Sequence, residues 1–341
     1  MAATGTRNLI TDVAGILVGQ AEDRGGLAGT TVVVAEQPAV AAVDVRGGAP
    51  GSRETELLAP EAMVDRVDAV VLSGGSAFGL DAAAGVMDWL AEVGRGFAVG
   101  STMRSPAVRV PIVPAAILFD LGFPGRRAWT GEPPYRALGR AAVMAAAKDF
   151  ALGNAGAGLG ATAGRLKGGI GSASSRLAGG AMVGAVVAVN SWGAAVRADC
   201  GRYWAADLAQ AGEIDRQPAI PETAFDPEDL SSCGAFALAA NTAIAVVATD
   251  IALDKPGCRR LAMMAQDGIA RAIRPAHTPF DGDTVFALST GSGAIAAAAD
   301  LLKLGNAAAD CLARAIMRAV LAAEPLRGIP SWRQSWGTKP A

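Results

Sequence analysis

Histidine is almost missing from this chain: 341 residues contain one, His277. A multi-histidine metal site is thereby excluded, and any Ser-His-Asp or Cys-His relay would have a single imidazole to use. Cysteine is scarce too. Cys200, Cys233, Cys258 and Cys311 lie scattered without a CxxC pair, which argues against a zinc site or a disulfide framework and predicts reduced thiols in the cytoplasm. Aromatic residues make up only 5%, and neither sign of charge dominates, with 30 basic and 32 acidic residues for a net charge of -2. Such a balance leaves no electrostatic footprint for nucleic acid or an anionic membrane. Long hydrophobic runs are also lacking. The most apolar stretches, 181–189 and 243–248, fall far short of the roughly 20 residues that a spanning helix needs. The N-terminus shows no basic segment followed by an apolar one, so no signal peptide is expected.

What is abundant is small: 43 glycines in a chain that is 51% hydrophobic, a composition for close packing of Ala, Val and Gly. Short β-branched runs alternate with Ala-rich stretches, which reads as a mixed α and β protein. Strands are expected at 30–35, at 39–45 leading into Arg46-Gly47-Gly48, and at 68–72 before Ser73-Gly74-Gly75-Ser76. Further strands are expected at 182–190, 242–249 and 283–288. Helices are expected at 80–93, 135–148, 256–273 and 306–322. Residues 211–232 carry three prolines and a cluster of acids, and read as an exposed linker. The tail, with Trp332 and Trp336, reads as a surface segment docked by its aromatics.

An acidic loop thus runs into an apolar strand whose first residue is Thr242. If the bond after Asn241 is cut, Thr242 carries a hydroxyl and a free α-amine. An amine with a pKa of about 7.7–8 is partly neutral at neutral pH and can take the hydroxyl proton. One residue then supplies nucleophile and general base, as a chain with one histidine would require. The bare dipeptide Asn-Thr carries no such meaning; taken alone, it reads as a strand-initiating threonine after a turn-forming asparagine. Ser73 to Gly79 lies between strand and helix, where backbone amides can hold an anion, but it lacks both the Walker lysine and the GxGxxG spacing. His277 reads as a structural hydrogen-bonding residue.

The stretch NTAIAVVATD (241–250) and, downstream, ARAIRPAHTPFDGDTVFALSTG (270–291) resemble the DmpA-type aminopeptidases, a family that includes β-peptidyl aminopeptidases and nylon-oligomer hydrolases. Upstream blocks agree in order: TDVAGILVGQ, AVDVRGGAPGSRETELL, VLSGGSAFGLDAAAGV, VPIVPAAILFDL, GNAGAGLGATAGRLKGGIGSAS and AVVAVNSWG. The resemblance covers nearly the whole chain. It implies one αββα four-layer sandwich over 1–341, self-cleaved into 1–241 and 242–341 and shared with the ornithine acetyltransferase type, and it implies neither cofactor nor metal. It places the nucleophile at Thr242, an oxyanion-holding amide at Asn190, and the two acids of the DGDT segment at Asp281 and Asp283. Lys167 is the candidate cation to pair with those acids. Some relatives carry their lysine where this chain has Arg165, and arginine does not deprotonate, so a proton-transferring lysine would have to be Lys167. Phe119 stands where some relatives have a tyrosine; either Tyr135 or a water replaces its hydroxyl, or the substrate preference differs. Gly74, Gly75 and Ser76 are expected to line the substrate pocket or hold a peptide carboxylate.

The implied enzyme is a cytoplasmic N-terminal-threonine amidohydrolase acting on small peptides or oligoamides, with no nucleic-acid or membrane partner. It is implied to assemble as a homotetramer or larger. Two rivals remain at this stage, an acyltransferase that hands the acyl group to an amine, and a small-molecule-binding protein that never cleaves.

Overall fold

A strand that is apolar at every position must be covered on both faces, and 182–189 and 243–248 are such runs. The structure is a computed structural model that describes residues 3–100, 108–126, 129–210, 212–214, 218–220, 226, 228–234 and 241–337. Its strands are β1 (Ile16–Asp23), β2 (Ala28–Val45), β3 (Ser52–Arg53), β4 (Arg66–Ser73), β5 (Phe97–Val99), β6 (Val108–Val110) and β7 (Ala115–Ile117). They continue with β8 (Thr162–Ala163), β9 (Leu166–Lys167), β10 (Gly169–Arg176), β11 (Met182–Asn190), β12 (Thr242–Thr249) and β13 (Thr284–Ser289). The α-helices are α1 (Ala82–Glu92), α2 (Tyr135–Met144), α3 (Lys255–Ala272), α4 (Ala298–Ala322) and α5 (Trp332–Trp336).

One sheet runs β10-β11-β12-β13-β2-β4-β7-β3, with β1 paired to β2. It folds on itself along β2. The second half of β2 pairs with β13, and the first half pairs with β1 and β4. Between them the β2–β4 register shifts from Val34 to Ala39 around the exposed residues 36–38. Pro38 has no N–H to give a ladder and suits such a break. The expected strands at 30–35 and 39–45 are therefore one strand with an irregularity in the middle.

Alternation along the strands sorts the side chains into three cores, hence four layers. Val33, Ala35, Ala41 and Val43 of β2 face inward, where they join Val70 and Leu72 of β4 and Ile244, Val246 and Phe286 of β12 and β13. This is the contact between the two halves of the sheet. On the outer face, Val32 and Val34 pack against α1 and α2, whereas Val40 and Ala42 share a core with α3 and α4. The architecture is the αββα sandwich, with β12 in mid-sheet.

Local chemistry sets the ends of the helices. Asp254 caps α3 by accepting from the Gly257 N–H at 2.8 Å, and Pro256 sits in the first turn, where its missing N–H is no loss. Three helical expectations shift. Residues 76–81 form a 3₁₀ helix, and α1 starts only at Ala82. α2 stops at Met144 because Ala147 turns away to exchange backbone hydrogen bonds with Val18 of β1. α4 begins at Ala298, a turn and more before 306. Of the acidic segment 211–232, residues 211, 215–217, 221–225 and 227 lie outside the described residues, and the rest holds no helix or strand. It is not merely an exposed linker, however. Glu213 is buried and accepts from both Nε and Nη2 of Arg314, a fully buried arginine of α4 whose charge needs that partner. The tail docks through Trp332, which is buried and donates Nε1–H to the Gly201 carbonyl at 2.7 Å; Trp336 is only partly covered.

Helices α3 and α4 approach so closely that a Cβ at Gly268 would lie 2.3 Å from the Ala309 carbonyl oxygen. Backbone cannot yield as a side chain can, so Gly268→Ala is expected to lose about 1–3 kcal/mol in urea unfolding. Wild-type stability in that variant would show that the helices part without cost.

Candidate active site

Strand directions bring the site together. β11 runs antiparallel to β12, so its last residue, Asn190, lies opposite the first residue of β12, Thr242. β13 runs parallel to β12 with Ile244 opposite Thr284, and the same offset carries Asp281 beside Asn241. Three sequence-distant segments thus converge at one end of neighbouring central strands.

The turn 281–283 grips the start of β12 at several points. The Gly282 N–H donates to the Asn241 carbonyl at 3.0 Å. The hydroxyl of Thr242, itself 2% exposed, donates to that same oxygen at 2.5 Å. The Ala243 N–H donates to Asp283 Oδ1 at 2.8 Å. Asp283 Oδ2 accepts from the His277 N–H at 3.1 Å and lies 2.8 Å from its Nδ1. Asp281 turns elsewhere: its Oδ2 takes the Thr278 N–H and hydroxyl, and its Oδ1 the Trp192 N–H. Burial, and after it the neighbouring charge of Asp283, push the Asp281 carboxyl above the usual carboxylate range. Behind the turn runs the Arg46–Ala49 loop, with Arg46 N–H on the Asp283 carbonyl and Ala49 N–H on the Asp281 carbonyl. A Cβ at Gly47 would stand 2.2 Å from the Asp281 oxygen, so glycine is what admits the loop.

Asn190 is held from both ends of its amide. Its Oδ1 accepts from the Thr162 N–H at 2.9 Å, and its Nδ2 donates to the Phe119 carbonyl at 3.2 Å. Thr162 is paired across the β8–β9 hairpin with Lys167. Lys167 is fully buried, and its ammonium donates to the carbonyls of Gly158, Ala161 and Gly168 at 2.8, 2.9 and 2.9 Å. The lysine was expected to pair with Asp281 and Asp283, but their hydrogen bonds go to the partners just described, and the lysine ties together the loop that carries Thr162. Burial pulls its pKa down to about 7, with the Asp120 charge opposing.

A cavity of about 460 Å³ opens beside these residues, lined among others by Phe119, Asp120, Thr162, Arg165, Asn190 and Asn241. Asn241 borders it; Thr242, the next residue in the chain, is not among the lining residues. Of the residues expected to line a substrate pocket, Phe119 borders this cavity. Gly74, Gly75, Ser76 and Tyr135 are not among its lining residues; they stand behind Asp120. The Gly75 N–H donates to Asp120 Oδ1 at 2.6 Å, and Arg126 bridges Asp120 at 2.9 Å and donates to the Tyr135 hydroxyl at 2.5 Å. The anion held by the glycine loop is thus the protein's own Asp120. Arg165, not Lys167, is the basic residue that borders the cavity.

Gly282, Gly47 and the Asp120–Arg126 pair were not singled out from the sequence. A glycine between two acids, and two glycines closing a strand, were the available signals for the first two. Nothing local marks Asp120 and Arg126 as partners. Among the described residues no cluster of three or more His, Cys, Asp or Glu could hold a metal, and no helix is long and apolar enough to cross a membrane.

Comparison with known proteins identifies the family and the fold. The family model described as peptidase family S58 matches residues 8–332. An uncharacterized aminopeptidase of Mycobacterium tuberculosis is 46% identical over 346 residues, covering 96% of this chain and 97% of that protein. A 6-aminohexanoate-oligomer endohydrolase of Kocuria sp. is 31% identical over 84% of this chain and 76% of its own. Among solved structures, the L-aminopeptidase D-Ala-esterase/amidase of Ochrobactrum anthropi, described as a new variant among the Ntn hydrolase fold, superposes with a TM-score of 0.70 at 22% identity. It covers 95% of this chain and 88% of its own. A Burkholderia sp. beta-aminopeptidase matches equally, with a TM-score of 0.70 at 22% identity over 98% and 94%.

Lys167 offers a pH test. Its pKa falls from 10.5 to about 7 on folding, so between those values the unfolded chain binds one proton more. The stability of wild type relative to Lys167→Met should therefore rise with pH across that window, by up to about 1.4 kcal/mol per unit, and level off below it. A relative stability that falls as pH rises from 7 would mean that the fold favours the ammonium.

Proposed function

Since the chain belongs to peptidase family S58 and is a hydrolase of amide bonds, we propose that it cuts itself between Asn241 and Thr242 and then hydrolyses small peptides or oligoamides with the freed Thr242. The observation that carries this reading is the placement of the Thr242 hydroxyl on the carbonyl of the residue before it, at 2.5 Å. A side chain so placed needs little movement to attack the carbonyl carbon, and proximity of that kind lowers a barrier by several kcal/mol.

Cutting there would release an amine on Thr242 with a pKa near neutrality, suited to take the hydroxyl proton and return it to the leaving group. Asn190, in register with Thr242, is the amide assigned to the substrate oxyanion. Asp283 fixes the strand start through the Ala243 N–H, and Asp281 orders the turn with it. Lys167 holds the loop on which Asn190 leans and, with a pKa near 7, can exchange a proton at neutral pH. The geometry also suits a cut chain that stays together. Residues 242–341 supply β12, β13 and α3–α5, and the two strands lie between β11 and β2 of residues 1–241, hydrogen-bonded on both sides. Freed of its peptide bond, the Asn241 end would withdraw and open Thr242 to the cavity, whose size matches a short peptide or oligoamide. A homotetramer or larger assembly accords with the sequence resemblance, and a cytoplasmic location with the scattered, unpaired cysteines.

Mass spectrometry of denatured protein should give two species, 1–241 and 242–341, and Thr242→Ala a single intact chain. Hydrolysis of amide substrates by Thr242→Ala should fall by more than about 10,000-fold, and kcat of Asn190→Ala by about 100- to 1,000-fold. An intact wild-type chain, or cleaved Thr242→Ala, would refute the proposal. Release of free acid without any amine present would separate hydrolysis from acyl transfer.

A further inference from the structure

Self-cleavage needs its own oxyanion donor. While Asn241 and Thr242 are joined, the oxygen that becomes negative is the carbonyl oxygen of Asn241, inside the chain. Among the described residues two groups donate to it: the Thr242 hydroxyl at 2.5 Å, which is the attacking group, and the Gly282 backbone N–H at 3.0 Å. The first gives up its proton in the reaction. The second remains.

We infer that the Gly282 amide is the catalytic oxyanion donor of the self-cleavage step, an assignment that rests on the proposed cut before Thr242. In that step Thr242 Oγ bonds to the Asn241 carbonyl carbon, and the π-electron pair moves onto oxygen, facing the Gly282 N–H. Collapse breaks the C–N bond. The proton lost by the hydroxyl ends on the departing Thr242 nitrogen, leaving an ester that water splits into the Asn241 carboxylate and the Thr242 hydroxyl. No charge is gained or lost across the acyl shift, so what the fold must stabilise is the transient negative oxygen.

The Gly282 N–H is fixed for this. The peptide group it belongs to is anchored at its other end, where the Asp281 carbonyl accepts the Ala49 N–H at 2.8 Å. A donor on that carbonyl polarises the shared peptide and strengthens its N–H as a donor. On either side the carboxylates of Asp281 and Asp283 are tied to Thr278 and to Ala243 and His277, so the turn cannot swing away. The lack of a side chain is needed as well. A Cβ at Gly282 would stand 2.9 Å from Thr242 Oγ1 and 2.8 Å from the Ala49 carbonyl oxygen, pressing on the nucleophile itself.

A backbone donor is removed by replacing the amide with an ester. Cell-free translation with a suppressor tRNA delivering glycolic acid at position 282 keeps every side chain and deletes this one N–H; the same codon read with glycine is the control. Pulse-chase on denaturing gels, scored on the protease-resistant fraction so that only folded chains count, gives the cleavage rate. The glycolate chain should cleave at least about 100-fold more slowly than the glycine chain. Rates within a few-fold of each other overturn the assignment while leaving the self-cleavage reading intact. A glycine chain that stays whole overturns both.

Discussion

The hydrogen bonds between the 281–283 turn and the first residues of β12 are the constraint on which the candidate site depends. They join a loop to the middle of a sheet at the one bond proposed to break. Asn241, Thr242 and Ala243 are buried, and their backbone groups must find partners or leave the strand end costly. The turn supplies those partners from backbone on one side and carboxylate on the other: Gly282 N–H to Asn241, Asp283 Oδ1 from Ala243. The groups that complete the strand end are thereby the groups nearest the atoms proposed to react.

That junction is held by a longer chain of contacts. The Arg46–Ala49 loop clamps the backbone of the turn from behind, and His277 and Thr278 clamp its carboxylates. On the other side of Thr242, Asn190 is fixed through Thr162, whose hairpin is secured by a lysine spread over three carbonyls. Among the described residues no carboxylate is in hydrogen-bonding contact with Lys167, and its lowered pKa reflects the cost of burying its charge. Polar groups buried this deeply fix one arrangement of their surroundings because every alternative leaves donors unpaired.

The sheet supplies rigidity on a larger scale. Folding it along β2 places two apolar inner faces against each other and leaves each outer face for a pair of helices. β12 is therefore covered above and below and paired on both edges. A chain end created there by cleavage would not fray, since all its ladder bonds and side-chain packing would persist. An edge strand would offer no such security, which is a physical reason for a cut of this kind to lie in mid-sheet.

The sequence by itself determined the elements with strong periodicity: 182–190, 242–249 and the helix after Asp254 stand almost where their apolar patterns put them, because burial on known faces leaves little choice. Family-typical blocks likewise carried the αββα class, and they nominated Thr242, Asn190, Asp281 and Asp283 as site candidates. What only tertiary structure decided is who touches whom. Two strand signals fused into β2 because a break in pairing need not end a strand, and Glu213 went inward because an arginine 101 residues away needed it. Lys167 found carbonyls where carboxylates were expected, and the glycine loop closed on Asp120, since both choices depend on desolvation and on loops folded from distant segments. The Gly282 amide lay beyond any reading of side chains, for every residue but proline has the same N–H, and its meaning comes from position alone.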